Sequence, residues 1–254
     1  EATQRFFWQL AWRVPGLQPG TLVLSNDLPL WRHSDNSLTA PLNLLYSHAA
    51  ASQDLAALLY YPEQRLGKSL QSLEPGTPVA VDYLAAAFHG STSQAVALVY
   101  APPGCLRILD PELDYDNEFI PQLMQDAARL SDVSLILPTG APGLPPSLFG
   151  AEPEHRWCYY YEQAALARQQ ADWQSVVDLG DQAFQLGDYP NDPSERIPFI
   201  EAYAHTGRWQ QALKQTRLAA EISPAMSPVL CRLWQRIERE TSTTEEQANA
   251  LESI

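Results

Sequence analysis

RIPFIEAYAHTGRWQQALKQTRLAAEISP (Arg196–Pro224) decides how this chain is read. Apolar residues fall at helical spacing on both sides of Thr206-Gly207-Arg208, and Gly207 can take the left-handed conformation that ends a helix. The pattern predicts two antiparallel helices. Ala212 and Ala219 are small enough to let the second approach the first, Tyr203 and Trp209 fill the wedge between them, and Pro224 stops the second. The same pattern occurs 36 residues earlier, with Ala167, Ala171, Trp173, Val176 and Ala183 in the places of Tyr203, Gly207, Trp209, Ala212 and Ala219. Trp173 and Trp209 are therefore expected to be buried at equivalent points. The earlier copy is looser, because Ala171 stands where the turn glycine should be and Gly180 lies inside its second helix.

This duplicated pattern resembles the tetratricopeptide repeat (TPR), whose stacked helix pairs bind partners and rarely do chemistry. The family's period is about 34 residues, and the extra positions here fit in the turn-forming run Asp188-Tyr189-Pro190-Asn191-Asp192-Pro193. A last helix, from Pro228 to about Glu240, sets Val229, Leu230, Leu233, Trp234 and Ile237 against Arg232, Arg236, Glu238 and Arg239, as a capping helix should. The resemblance implies a partner-binding groove lined by Tyr161, Arg168 and Gln169 in the first repeat and Ile197, Glu201 and His205 in the second. Packing against the α/β domain is the competing role for these six. The Lys/Asn pattern that clamps a C-terminal carboxylate is missing, and Glu201 would repel such a ligand.

Upstream, five apolar runs bounded by Pro, Gly, Asn or Asp read as strands: Thr21–Ser25, Leu55–Tyr61, Pro78–Leu84, Gln94–Tyr100 and Cys105–Leu109. Between them lie helices over Ala2–Val14, Thr39–Tyr46 with Thr39 as N-cap, and Ile120–Leu130. The expected organisation is an α/β or α+β sheet domain over 1–137 and a Pro/Gly-rich linker over 138–152. An all-α TPR-like domain over 153–240 and a flexible tail over 241–254 complete it.

Within this half, FFWQLAWRVPGLQPGTLVLSND, SDNSLTAPLN and YAPPGCLRILDPE resemble the soluble C-terminal region of bacterial polytopic membrane proteins similar to lipid-linked-sugar glycosyltransferases. That resemblance covers residues 1 to about 150. It implies an extracytoplasmic, membrane-tethered protein anchored upstream of Glu1, whose catalytic carboxylates lie outside this chain.

Composition closes several classes. A net charge of −14, spread evenly over both halves, offers no basic stripe for nucleic acid. No apolar run reaches the roughly 18–20 residues of a membrane span. The three cysteines, Cys105, Cys158 and Cys231, have no C-x-x-C spacing and read as buried free thiols, with a Cys158–Cys231 bridge as the alternative in an oxidising compartment.

Candidate chemistry is sparse. Asp110, Glu112, Asp114, Asp116 and Glu118 alternate like calcium ligands, but Tyr115 and Pro121 occupy the positions where an EF-hand needs Gly and Glu, so a solvated acidic loop is expected. Ser34-Asp35-Asn36 matches one element of penicillin-recognising enzymes without the Ser-x-x-Lys and Lys-Thr-Gly that must accompany it, and reads as turn and capping residues. The run from Phe88 to Ser93 lacks a nucleophile elbow and reads as a polar hairpin turn, with a hydrolase centred on His89 and Ser91 as the outside possibility. His33, His48, His155 and His205 show no ligand spacing. No cofactor or metal is implied, and the chain on its own reads as non-catalytic. Two readings remain: an interaction or scaffolding region that binds a protein or peptide, and an accessory soluble domain of a membrane glycosyltransferase-like enzyme.

Overall fold

The computed structural model describes residues 2–26, 28, 30, 34–46, 54–63, 70, 72–83, 85–140 and 144–242. Two compact units emerge. The first comprises Glu1–Pro102, Leu106–Tyr115 and Ile120–Pro153, the second Pro103–Cys105, Asp116–Phe119 and Glu154–Ile254. The protein is thus mixed α/β with a helical part. Residues 243–254, most of the expected tail, lie outside the described residues, as do His33, His48 and 141–143 of the expected linker.

The first unit contains α1 (Ala2–Arg13), β1 (Gly16–Leu17), β2 (Thr21–Leu24), α2 (Asp35–Tyr46), β3 (Ala57–Tyr60), β4 (Pro78–Tyr83), β5 (Ala86–Ser91), β6 (Ala95–Tyr100), β7 (Leu106–Ile108), α3 (Gln122–Ala128), β8 (Ile136–Leu137) and α4 (Pro146–Phe149). Its main sheet runs β3-β2-β6-β7, with β2 parallel to both β3 and β6 and with β7 antiparallel to β6. All four residues of β2 and of β3 are buried, which is why both read as unbroken apolar runs rather than alternating ones. Leu22, Leu58, Ala95 and Ala97 meet Phe88 and Met124 in one core.

Asn43 ties the crossover helix to the sheet. Its amide donates 2.6 Å to the Ala57 carbonyl and its oxygen accepts 3.1 Å from the Ala57 N–H. Helix α2 begins four residues before the expected start. Ser34 and Ser37 cap each other's N–H groups, at 2.9 and 3.3 Å, while Thr39 is buried inside the helix with its hydroxyl donating to the Asp35 carbonyl at 3.0 Å. The residues around His89 are a strand rather than a turn. β5 pairs along its whole length with β4, His89 opposite Ala80, and the turn follows at 92–94. Part of the expected linker is helical, since α4 buries Phe149 against Phe7 at a ring separation of 5.2 Å.

The second unit is built from α5 (Trp157–Gln169), α6 (Trp173–Ala183), α7 (Ile197–His205), α8 (Trp209–Ile222) and α9 (Ser227–Glu240). Helix α6 packs on α5 and α8 on α7, each after a three-residue connection, 170–172 and 206–208. These connections are the same turn. Ala171 and Gly207 are both left-handed, with φ of 54° and 74°. Their N–H groups donate to Arg168 and Ala204, and those of Asp172 and Arg208 donate to Ala167 and Tyr203, every pair 36 residues apart. Val176 and Ala212 are both fully buried at equivalent positions. Trp209 is 7% exposed, whereas Trp173 is only half-buried and stacks on His205. Gly180 has a packing role: a Cβ there would lie 2.7 Å from the Phe199 ring.

A disulfide closes the unit. Cys105 and Cys158 are bonded, Cα atoms 5.3 Å apart, and Cys231 is an exposed free thiol, so neither expected cysteine arrangement holds. Glu195 explains the pairing, because its fully buried carboxylate accepts 2.7 Å bonds from the Cys105 N–H and from Trp157 Nε1, fixing both ends of the bridge. Spacing carries no information about a contact assembled through a third residue.

Candidate functional site

The six residues assigned to a partner groove fall on the facing helices α5 and α7. Tyr161, Ile197 and Glu201 are buried, while Arg168, Gln169 and His205 are half-buried. Three of them join one charged network. Glu201, 2% exposed, takes Arg236 of α9 on one oxygen at 2.8 Å, and its other oxygen binds Arg168 of α5. One helical turn on, His205 lies against Glu240 of α9, Nε2 to Oε2 3.3 Å, and under the Trp173 ring at 4.0 Å in a nearly parallel stack. Helices α5, α6, α7 and α9 each contribute a member, so the network holds the array together at one level.

Glu201, His205 and Glu240 place one ligand atom each within 4.8 Å, the spacing a metal ion would need. The electrostatics point elsewhere. Both Glu201 oxygens already face guanidinium groups, and two arginines balance the two carboxylates, so a divalent cation would enter a field with no net negative charge. The arrangement fits a buried ion network, and no cofactor follows from it.

A second concave feature was not foreseen. Between α8 and α9 runs a groove of about 540 Å³ whose apolar wall includes Leu213, Ala220, Leu230 and Trp234, with Arg217 and Glu238 also lining it. Its sequence signal is the sharp amphipathicity of α9, read above as capping alone.

The other candidates do not assemble. His89 is exposed on β5, and Ser91 Oγ accepts the Ser93 N–H at 3.3 Å, a turn bond rather than a nucleophile-base pair. The acidic run is solvated only in part: Glu118 is exposed, but Asp114, 4% exposed, accepts Arg107 at 2.7 Å and the Asp110 N–H at 2.9 Å, while Asp116 accepts Arg232. The Asp114 and Asp116 carboxylates are used internally. Among the described residues no helix is long and apolar enough to cross a membrane. Comparison with protein-family models, with characterised proteins and with solved structures gives no match in any of the three.

Proposed function

We propose that residues 154–242 act as a TPR-like interaction module that binds a protein or peptide, in a protein that works on the extracytoplasmic side of a membrane. The observation that carries this reading is the turn repeated at 36 residues, with left-handed Ala171 and Gly207 and four matching hydrogen bonds. Two helix pairs and a further helix, joined this way, stack into an extended surface, and such surfaces serve recognition. The Cys105–Cys158 bridge supports an oxidising compartment. The site's chemistry supports binding over catalysis, because the Glu201 carboxylate of α7 is already taken up by Arg168 of α5 and Arg236 of α9.

Selection of a random peptide library on the immobilised, oxidised chain tests the proposal. It is supported by enriched peptides whose binding weakens at least tenfold in the Gln169→Ala/His205→Ala variant. It is overturned if no sequence is enriched over bare support.

A further inference from the structure

We propose that the outer edge of β4 is a docking site for an extended segment of a partner protein, which adds to the β4–β5 hairpin as a third strand. This surface belongs to the first unit and does not rest on the helical repeat. A strand edge carries a row of backbone N–H and C=O groups that must find partners or water. The main sheet closes both of its edges with side chains. Along β3, Asp35, Thr39 and Asn43, successive turns of α2, accept the Tyr61, Leu59 and Ala57 N–H groups at 3.3, 3.3 and 3.1 Å. Along β7, Gln9 of α1 accepts the Leu106 N–H at 2.7 Å.

The hairpin has no such closure along β4. Ala87 of β5 gives its carbonyl to the Leu55 N–H at 2.7 Å, so its backbone groups point away from β4, and Asp82↔Ala87 is a pair without mutual hydrogen bonds. The alternation of an antiparallel ladder then turns the backbone groups of Pro78, Ala80 and Asp82 outward together. Thr77, just before the strand, fits that phase, since its carbonyl accepts the Thr92 N–H across the ladder at 3.0 Å. Because proline has no N–H, the row offers two donors and three carbonyls, and none is bonded to another of the described residues. Val79 is buried, and Val81 and Tyr83 are packed on the core, so the strand is anchored by one face while Pro78, Ala80 and Asp82 stand in solvent on the other.

Charge decides the occupant. Asp82 is exposed and pairs with no basic group among the described residues, and directly opposed charges of opposite sign stabilise neighbouring strands. A second copy cannot supply the match. Antiparallel pairing of two β4 edges sets Asp82 against Pro78, Ala80 or another Asp82, none of them basic, and Pro78 has no N–H to give. The occupant is therefore a partner segment with lysine or arginine opposite Asp82 and apolar residues at the alternate positions, beside Val79, Val81 and Tyr83.

A phage library of short peptides, valine or isoleucine at every second position and random between, is selected on the intact, oxidised chain. Backbone amide exchange is then followed by NMR with the enriched peptide. The Ala80 and Asp82 N–H groups should exchange fast in the free chain and at least tenfold slower with peptide bound, while those of Val79 and Val81, inside the ladder, are slow in both. Enriched peptides should carry lysine or arginine at one random position and bind Asp82→Lys at least tenfold more weakly. Ala80→Pro removes an outward donor without touching the ladder and should abolish binding. Should that variant fail to fold, N-methylation of alternate peptide amides decides, since only one of the two alternating sets faces β4. Binding that survives in Gln169→Ala/His205→Ala separates this edge from the α5 and α7 surface. No enrichment over bare support, or bound peptide that leaves the Ala80 and Asp82 amides fast, overturns the proposal. Protection of those amides that grows with protein concentration alone overturns it in favour of a second copy.

Discussion

Ala171 and Gly207 hold one left-handed conformation at one point of two turns 36 residues apart, although only glycine holds it without strain. Ala171→Gly should therefore stabilise the protein by about 0.5–1 kcal/mol, strain relief outweighing the added freedom of the unfolded chain. Gly207→Ala should cost about 1 kcal/mol, all of it conformational, since nothing lies within 4 Å of the added Cβ. Urea unfolding of the two variants checks the opposite signs.

Gly180 is a glycine for a different reason. Its Cβ would meet Phe199 Cδ1 at 2.7 Å and the Tyr203 hydroxyl at 3.3 Å, so α6 and α7 approach only while the side chain is absent. Gly180→Ala should destabilise by about 1–3 kcal/mol through overpacking. Phe199→Leu in the same chain should recover part of that loss, and a double-mutant cycle in urea measures the coupling.

The regular elements were legible where one signal dominated: unbroken apolar runs for β2 and β3, 3.6-residue periodicity for α5 to α9, and a glycine at the second turn. Ala171 was read as a weakness of the first repeat because residue type argues against a left-handed backbone; the fold imposes it. Thr39 looked like a cap since threonine favours that role, yet its hydroxyl is satisfied inside the helix by the Asp35 carbonyl. β5 carries only one fully buried residue, Phe88, and so lacked the alternation that marks a strand. The charged network and the disulfide were illegible for a common reason. Each joins residues 33 to 53 positions apart, such as Arg168 with Glu201 and Cys105 with Cys158, and nothing local records those meetings.

Glu201 faces two guanidiniums, with Arg168 partly and Arg236 mostly buried. Glu201→Ala should cost about 3–5 kcal/mol by removing the buried carboxylate that both guanidiniums face. Replacing all three residues with leucine or methionine should recover most of that stability, as guanidinium unfolding midpoints would reveal.

The Cys105–Cys158 bridge should contribute about 2–4 kcal/mol, which the double serine variant would lose. Thiol titration of the denatured, unreduced protein should count one group per chain. Three groups would remove the bridge from the account.

Asp172 caps α6, accepting from the Ser175 hydroxyl at 2.7 Å and its N–H at 3.2 Å, and these bonds hold its carboxyl below the ordinary aspartate range. Because the folded-state value lies below the unfolded one, the cap is fully effective above about pH 4 and is lost as pH falls through the folded value. The Tm gap between the parent protein and Asp172→Ala should therefore narrow as pH drops from 6 toward 3, whereas the gap between Asp172→Asn and Asp172→Ala should stay constant. Thermal scans across that range decide it.

The second unit takes in Pro103–Cys105 and Asp116–Phe119, stretches that precede its helices by dozens of residues. During synthesis Cys105 is made 53 residues ahead of Cys158, and Asp116 well ahead of its partner Arg232. Until α5 and α9 have been made, the early thiol and the early carboxylate wait without their mates. A gene fragment cut at the obvious boundary before Glu154 would encode α5 to α9 and omit one half of each of these pairs.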